Sequence, residues 1–219
     1  MKIANQPRLV RPGHAATVAA CILGALGALG GCAPMVLGGA ALSTLVATDR
    51  RTSGAQLEDE GIELRSVSRI REALGDAVHI NVTSYNRQVL LSGEVGSAQE
   101  RASAEQVVSK VENVRSIVNE LGVMGNSTLT QRSSDSLITG KIKAAMVDAR
   151  DLYANAFKVV TERGTTFLMG RVTQREADRA TELARSTSGV QKVVRLLEII
   201  SEAELQGALP QLAPVETKR

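Results

Sequence analysis

The stretch INVTSYNRQVLLSG at residues 80–93 returns as FKVVTERGTTFLMG at residues 157–170, without a gap and at an offset of 77. Both stretches alternate apolar and polar residues, break at a short polar segment and resume, which is typical of a β-hairpin. In the second break, Gly164 tolerates the positive φ that a tight turn needs. Matching residues continue on both sides of the hairpins, so the chain contains two copies of one small domain.

Each hairpin lies between two predicted helices. The first helix buries one face at a spacing of three and four residues, and its predicted core residues are Val67, Ile70, Ala73 and Leu74 in the first copy and Ile138, Ile142, Ala145 and Met146 in the second. The second helix shows the same spacing and stops at Asn113 or Gly189, residue types that accept the left-handed conformation. β-Branched residues then predict a last strand at 114–123 and at 190–200.

The predicted order of elements is αββαβ, twice, and the fold class is α+β. The helix between the second and third strands makes a crossover, so each copy is a small mixed three-stranded sheet packed with two helices. A domain of about 60 residues buries only a modest fraction of its surface, and we therefore expect the two copies to pack on each other. We place domain 1 at 62–123, a linker at 124–132, domain 2 at 133–200 and a flexible tail at 201–219.

The first 31 residues have the charge order of a secretory signal peptide, with three cationic side chains and no acidic one before an uncharged run. That run ends at Leu29-Gly30-Gly31-Cys32, which resembles the bacterial lipobox. Cys32 is therefore the predicted lipid-attachment site and 32–61 a lipidated tether, and Ala33 in place of aspartate favours the outer membrane. The alternative is an uncleaved transmembrane anchor, although six glycines and Pro34 interrupt the uncharged span 15–48. Both alternatives export the remaining chain.

Composition argues against several classes of function. The signal peptide carries three of the 26 Lys+Arg, which leaves 23 to balance the 23 Asp+Glu, and no tryptophan is present. This neutral balance disfavours nucleic-acid binding. His79 is the one histidine after the signal, and no pair of histidines or cysteines stands at ligand spacing. We predict that His79 is a surface or strand-edge residue and that the protein has no metal, cofactor, small-molecule substrate or enzymatic activity.

Both copies share a helix, a hairpin that ends in V-L-L-S-G or F-L-M-G, a second helix and a strand that opens with N-V or G-V. In this pattern residues 62–200 resemble tandem BON domains, a family named for osmotically induced periplasmic and nodulation proteins. The lipobox and Thr48-Asp49-Arg50-Arg51 are similar to those of dual-BON outer-membrane lipoproteins. The resemblance implies a non-enzymatic protein that faces the periplasm, binds phospholipid and maintains the envelope. Departures are Asn113 in place of glycine and one extra residue within 96–101.

Domain 2 is the cationic copy, with eleven basic and eight acidic residues against seven and eight in domain 1. On its first helix, Leu137, Lys141 and Ala144 form a stripe at the edge of the predicted buried face, and Lys143 is close by. A leucine there can insert shallowly into an anionic phospholipid membrane while lysine ammoniums meet phosphates. Leu137, Lys141 and Lys143 are the predicted phospholipid-binding residues. Alternatively, Leu137 covers the contact between the domains and the lysines are a solvated face.

Domain 1 is predicted to have a structural or protein-contact role. Its corresponding stripe lacks an exposed apolar residue and consists of Arg65, Arg69 and Glu72. The alternative function of the whole chain is therefore a scaffold for envelope protein partners. The acidic run Glu58-Asp59-Glu60 is predicted to be a solvated lead-in to a helix, because adjacent side chains of a helix point in different directions.

Overall fold

The structure, a computed structural model, describes residues 49–208. The predicted signal peptide, the lipid site Cys32 and the first part of the tether lie outside the described residues, as do residues 209–219. Every helix within 49–208 is too short or too polar to cross a bilayer.

Domain 1 is built from two helices and one sheet. Helix α1 (Ser53–Leu74) leads into strands β1 (His79–Tyr85) and β2 (Gln88–Val95), and helix α2 (Ala98–Val108) crosses over to β3 (Ser116–Asn119) and β4 (Gly122–Val123). Strand β2 is central, antiparallel to β1 and parallel to β3 and β4. Because β3 and β4 keep one register on β2, they act as a single interrupted strand.

Domain 2 repeats this arrangement. Helix α3 (Leu129–Asp148) and a short 3-10 turn (Ala154–Ala156) precede strands β5 (Phe157–Glu162) and β6 (Thr165–Val172), helix α4 (Gln174–Ser186) and strand β7 (Lys192–Ile199). Strand β6 is central, antiparallel to β5 and parallel to β7. The predicted order αββαβ, the mixed sheets and the α+β class are therefore confirmed in both copies.

Several helices begin or end away from their predicted positions. Helices α1 and α3 begin inside the predicted tether and linker, because Thr52 and Thr128 cap them: each threonine hydroxyl accepts a hydrogen bond from a backbone N–H three residues later. Helices α2 and α4 end before Asn113 and Gly189, which adopt positive φ in the turns that follow. A further helix, α5 (Glu202–Ala208), occupies the start of the predicted flexible tail.

One face of each sheet packs against its own two helices. The predicted core residues of α3 confirm this, since Ile138, Ile142 and Met146 are buried there. In α1 the prediction is wrong for Val67 and Ala73, which are exposed. The buried stripe of α1 instead contains Asp59, Ile62, Ser66 and Ile70, so polar residues hold two positions that an apolar pattern cannot reveal.

The opposite faces of the two sheets pack against each other. Alternate residues of both sheets form one apolar cluster of buried and partly buried side chains: Tyr85, Leu90, Val118, Val160, Phe167, Met169, Val194 and Leu196. This confirms that the two copies pack together. The described residues of the two domains therefore form four layers in the order helices, sheet, sheet, helices.

Steric contact explains why both repeated stretches end in glycine. A Cβ atom at Gly93 would lie 2.1 Å from the backbone oxygen of His79, and one at Gly170 would lie 2.5 Å from that of Ala156. Real Cβ atoms do not approach oxygen so closely, so the two sheets need glycine where each hairpin brings its strands together.

Candidate functional site

The predicted lipid-binding residues lie on the outward face of α3, which we define as Leu137, Lys141, Lys143, Ala144 and Val147. Leu137 is 67% exposed, and Ala144 and Val147 are also exposed at the helical spacing of seven and ten residues. The buried stripe of α3 runs through Ile138 and Ile142 on the opposite side. The stripe therefore points away from the core rather than along its edge, and Leu137 does not cover the contact between the domains.

The two lysines of this face are free to meet another charge. Lys141 and Lys143 are exposed, and within residues 49–208 neither forms an ion pair or a side-chain hydrogen bond. Arg150, just beyond the helix, is likewise exposed and without an ion pair among the described residues. The outward face of α3 thus combines an apolar stripe with uncompensated positive charge.

Helix α1 of domain 1 differs from α3 in its charges. It exposes Leu57 and Leu64, the latter by 74%, on a stripe other than the predicted one. The prediction for domain 1 concerned only the stripe of Arg65, Arg69 and Glu72, and it did not include these two leucines. Arg65, however, forms an ion pair with Glu58 at 2.6 Å, and Arg71 pairs with Asp76 at 2.8 Å. Domain 1 presents leucines without free cations beside them.

A buried aspartate joins the first helix of each domain to its hairpin turn. In domain 2, Asp135 accepts hydrogen bonds from the backbone N–H groups of Arg163 and Gly164 at 2.8 and 2.9 Å. Both turn residues have positive φ, as in the two-residue turns that suit the twist of a hairpin. Asp135 thereby fixes α3 against the tip of the hairpin.

Asp59 occupies the same place in domain 1. It accepts from the backbone N–H groups of Asn86 and Arg87 at 2.7 and 2.8 Å, from Ser84 Oγ at 2.6 Å and from Arg51 at 2.7 Å. Burial raises the pKa of Asp59, but these donors outweigh it and hold the pKa below its ordinary value. The prediction of a solvated acidic run is wrong for this residue. The equivalence of the two aspartates in the repeat was the signal that could have identified it.

A further buried carboxylate lies where domain 1 meets domain 2. Glu94, at the end of β2, is fully buried and accepts hydrogen bonds from Ser127 and Arg163, and His79 Nδ1 lies 2.8 Å from its Oε2 atom. We call His79, Glu94, Ser127 and Arg163 the Glu94 cluster. Burial raises the pKa of Glu94, but the backbone and side-chain donors outweigh it and lower the pKa to about 2. His79, the first residue of the edge strand β1, is therefore a partly buried member of this cluster, which agrees with the strand-edge alternative of the prediction and not with the surface one.

Glu162 of domain 2 lies beside this cluster. Its carboxylate accepts a hydrogen bond from Asn81, and burial raises its pKa. Ligand atoms of His79, Glu94 and Glu162 lie within 4.8 Å of one another, the one such group among the described residues. Arg163 bonds to one Glu94 oxygen and Ser127 to the other, so both atoms already have protein partners. The cluster functions as a contact between the domains.

Residues 49–52, which we call the strap, contact both domains. Arg50 donates two hydrogen bonds of 2.7 Å to Glu176 at the start of α4 in domain 2. Arg51 bonds to Asp59 in domain 1, and its guanidinium lies 4.3 Å from the centre of the Tyr85 ring. The segment that the sequence predicts as the end of a tether is therefore part of the folded protein.

Comparison with known proteins agrees with this architecture. The sequence model of the BON domain family matches residues 65–125 and 134–201. The chain is 37% identical over 184 residues to the outer membrane lipoprotein DolP of Haemophilus influenzae, which covers 83% of this chain and 95% of that protein. It is 34% identical over 154 residues to the 21 kDa hemolysin of Actinobacillus pleuropneumoniae, covering 69% and 79%.

A third relative is an osmotically induced protein, one of the kinds of protein for which the family is named. The osmotically-inducible protein Y of Escherichia coli is 29% identical over 134 residues, which cover 58% of this chain and 67% of that protein. Two matches to the family, two αββαβ domains and high coverage of DolP lead to one conclusion. The chain belongs to the BON domain family, as a two-domain member related to the outer membrane lipoprotein DolP.

Proposed function

We propose that this protein is a non-enzymatic lipoprotein of the outer membrane, held by a lipid on Cys32 and facing the periplasm. Domain 2 binds anionic phospholipid through Leu137, Lys141 and Lys143, and this contact supports the integrity of the envelope. The observation that carries the proposal is the outward face of α3, where an exposed apolar stripe stands beside unpaired lysines. The similarity of the chain to DolP, by name an outer membrane lipoprotein, supports the proposed location in the outer membrane.

The expected affinity of this face is low. Burial of one leucine side chain contributes about 2 kcal/mol, and each lysine near an anionic surface adds about 1 kcal/mol. A total of about 4 kcal/mol corresponds to a Kd of about 1 mM. The lipid anchor supplies most of the membrane affinity, and α3 adds a weaker contact that selects the headgroup. A weak contact is sufficient because the anchor raises the effective concentration of α3 at the membrane surface.

Co-sedimentation with vesicles tests the lipid contact. The chain from residue 33 onward, which lacks the lipid, is mixed with zwitterionic vesicles or with vesicles rich in anionic phospholipid. We expect binding to the anionic vesicles that weakens with added salt and is lost in Leu137→Glu. The matched control is Leu64→Glu, which places the same charge on the equally exposed α1. Equal binding to both vesicle types, or equal effects of the two substitutions, would contradict the proposal.

Metabolic labelling with palmitate tests the anchor. Labelled protein is expected from the wild-type chain and none from Cys32→Ala, because the lipobox cysteine is the proposed attachment site. Label that persists in Cys32→Ala would remove the anchor from the proposal.

A scaffold for envelope proteins is the second candidate function. The exposed Leu57 and Leu64 of α1 favour it. Two cations of that helix, Arg65 and Arg71, are ion-paired, and the third, Arg69, donates to the Lys110 carbonyl, so the surface is suited to a protein partner rather than to anionic lipid. A partner captured from the envelope that requires Leu64 and tolerates Lys141→Glu would support the scaffold.

A further inference from the structure

The Glu94 carboxylate belongs to domain 1, yet two of its contacts hold the beginning of α3 in domain 2. The Glu94 side chain is fully buried between the domains and takes no part in the outward face of α3. Its two oxygen atoms receive different groups of donors, and each group leads to α3 by a separate route.

The first route runs through Ser127, the residue before the N-cap of α3. Ser127 donates its backbone N–H and its hydroxyl to Glu94 Oε2 at 3.0 and 3.1 Å. From inside the helix, the Arg132 guanidinium donates back to the Ser127 carbonyl at 3.0 Å. The first turn of α3 is therefore bonded to a residue that is itself bonded to domain 1.

The second route runs through the hairpin of domain 2. Arg163 Nε donates to Glu94 Oε1 at 2.6 Å, and another nitrogen of the same guanidinium donates to the Gly125 carbonyl at 2.7 Å. The backbone N–H of Arg163 donates to Asp135 on the buried side of α3. One arginine thus connects Glu94 to the second turn of the helix.

We propose that Glu94 is a positioning residue for the phospholipid-binding face. It fixes the N-terminal half of α3 against domain 1, and Leu137 and Lys141 thereby keep the orientation in which they meet a membrane together. The inference rests on the proposed function. A positioning role for Glu94 gives domain 1 a part in lipid binding, although the residues that contact the lipid all belong to domain 2.

Replacement by glutamine separates the two routes. An ionised carboxylate only accepts hydrogen bonds, whereas an amide has one acceptor oxygen and one NH2 group that donates. In Glu94→Gln, either Arg163 or Ser127 therefore faces a donor in a buried site. The loss of one such contact shifts a local opening equilibrium by roughly 5- to 150-fold, since a buried unsatisfied group costs about 1–3 kcal/mol.

Hydrogen exchange on the full-length protein in vesicles measures both effects. In zwitterionic vesicles we expect amides 132–135, the first of α3 with backbone acceptors, to exchange about tenfold faster in Glu94→Gln than in the wild type. In anionic vesicles the extra protection that the wild-type α3 acquires is expected to fall severalfold. Glu63→Gln is the matched control, because Glu63 also pairs across the domains, with Lys158 at 2.6 Å, but makes no contact with α3. It is expected to leave both readouts unchanged.

Ser127→Ala keeps the test valid if Glu94→Gln does not fold. It removes only the hydroxyl of the first route, and we expect the same changes at smaller amplitude. Wild-type exchange at amides 132–135 in both Glu94→Gln and Ser127→Ala overturns the inference, and so does an equal change in Glu63→Gln. If Leu137→Glu abolishes the protection by anionic lipid while Glu94→Gln does not affect it, the proposed function stands and the positioning role fails. If Leu137→Glu retains that protection, both fail.

Discussion

Removal of the Arg50 side chain is expected to destabilise the folded protein strongly. Arg50 lies in the strap, outside the helices and strands, yet its side chain is only 4% exposed and that of Glu176 is 0% exposed. The pair makes two hydrogen bonds of 2.7 Å. In Arg50→Ala the remaining donors to Glu176 are the backbone N–H and hydroxyl of Thr173, at 3.0 and 3.2 Å.

The expected loss of stability in Arg50→Ala is large because Glu176 stays buried without its ion-pair partner. Removal of one partner from a buried ion pair costs about 3–5 kcal/mol, because the other partner keeps its desolvation penalty without compensation. A folded unit of this size loses roughly 2–4 °C of melting temperature for each kcal/mol. We therefore expect Arg50→Ala to lower the melting temperature by about 10 °C.

The destabilisation should depend on pH in a defined direction. Burial raises the pKa of Glu176, but the hydrogen bonds and charge of Arg50 outweigh it and hold the pKa below its ordinary value of 4.5. In the wild type the ionised Glu176 carboxylate stabilises the fold above pH 4.5, and this stabilisation is lost as the pH falls through the lowered pKa. Without Arg50, burial raises the pKa and Glu176 takes up a proton on acidification. The stability difference between variant and wild type should therefore be largest near neutral pH and shrink in acid.

Urea denaturation followed by circular dichroism, at pH 7 and at pH 4, measures this difference. Arg179→Ala is the matched control, because Arg179 also pairs with Asp151 and Glu182, but its side chain is 38% exposed. An exposed pair contributes about 0–1 kcal/mol. A loss below about 1 kcal/mol for Arg50→Ala at pH 7, or a loss of equal size at both pH values, would refute the argument.

Further substitutions test the turns, the sheet and the Glu94 cluster. Gly170→Ala should lower stability by about 1–3 kcal/mol in urea titrations, because the new Cβ would lie 2.5 Å from the Ala156 oxygen. Gly125→Ala is the control, since a Cβ there has open space and should leave stability unchanged. Similar effects of the two substitutions would contradict this prediction. Asp59→Ala should lower stability by about 3 kcal/mol or more, since two turn amides lose their acceptor, and slow exchange at those amides in the variant would argue against it. Because the pKa of Glu94 is lowered to about 2 from 4.5, its stabilisation is present above pH 4.5 and lost towards pH 2. Urea titrations of Glu94→Gln should therefore depend less on pH in that window, and an unchanged dependence would exclude the assignment.

Much of the fold was readable from local patterns. Alternation and turn residues located both hairpins, and helical spacing located the core around Ile142. The same reasoning failed at Val67, because the neighbouring Ser66 is the buried residue and no apolar pattern predicts a buried serine. The outward orientation of Leu137 also needed the structure, since a stripe beside a core can lie at its edge or opposite to it.

The polar residues of the interface escaped prediction for a more general reason. Glu94 and Arg50 were indistinguishable from exposed charges, because their environment depends on partners that are remote in the chain. Arg50 meets Glu176 across 126 positions, and Arg163 meets Glu94 across 69. Short periodicities contain no information on such pairs.

The amino-acid sequence alone specifies two αββαβ units and their membership of one family, because hydrophobic spacing, turn residues and the duplication itself are local signals. Three-dimensional packing settles which charges are buried, how the strap joins the domains and which face of α3 remains free. The physical reason is that a charged group is stable in the interior only when several donors or acceptors from distant segments reach it at once. That condition is met by the assembled fold and by no single segment.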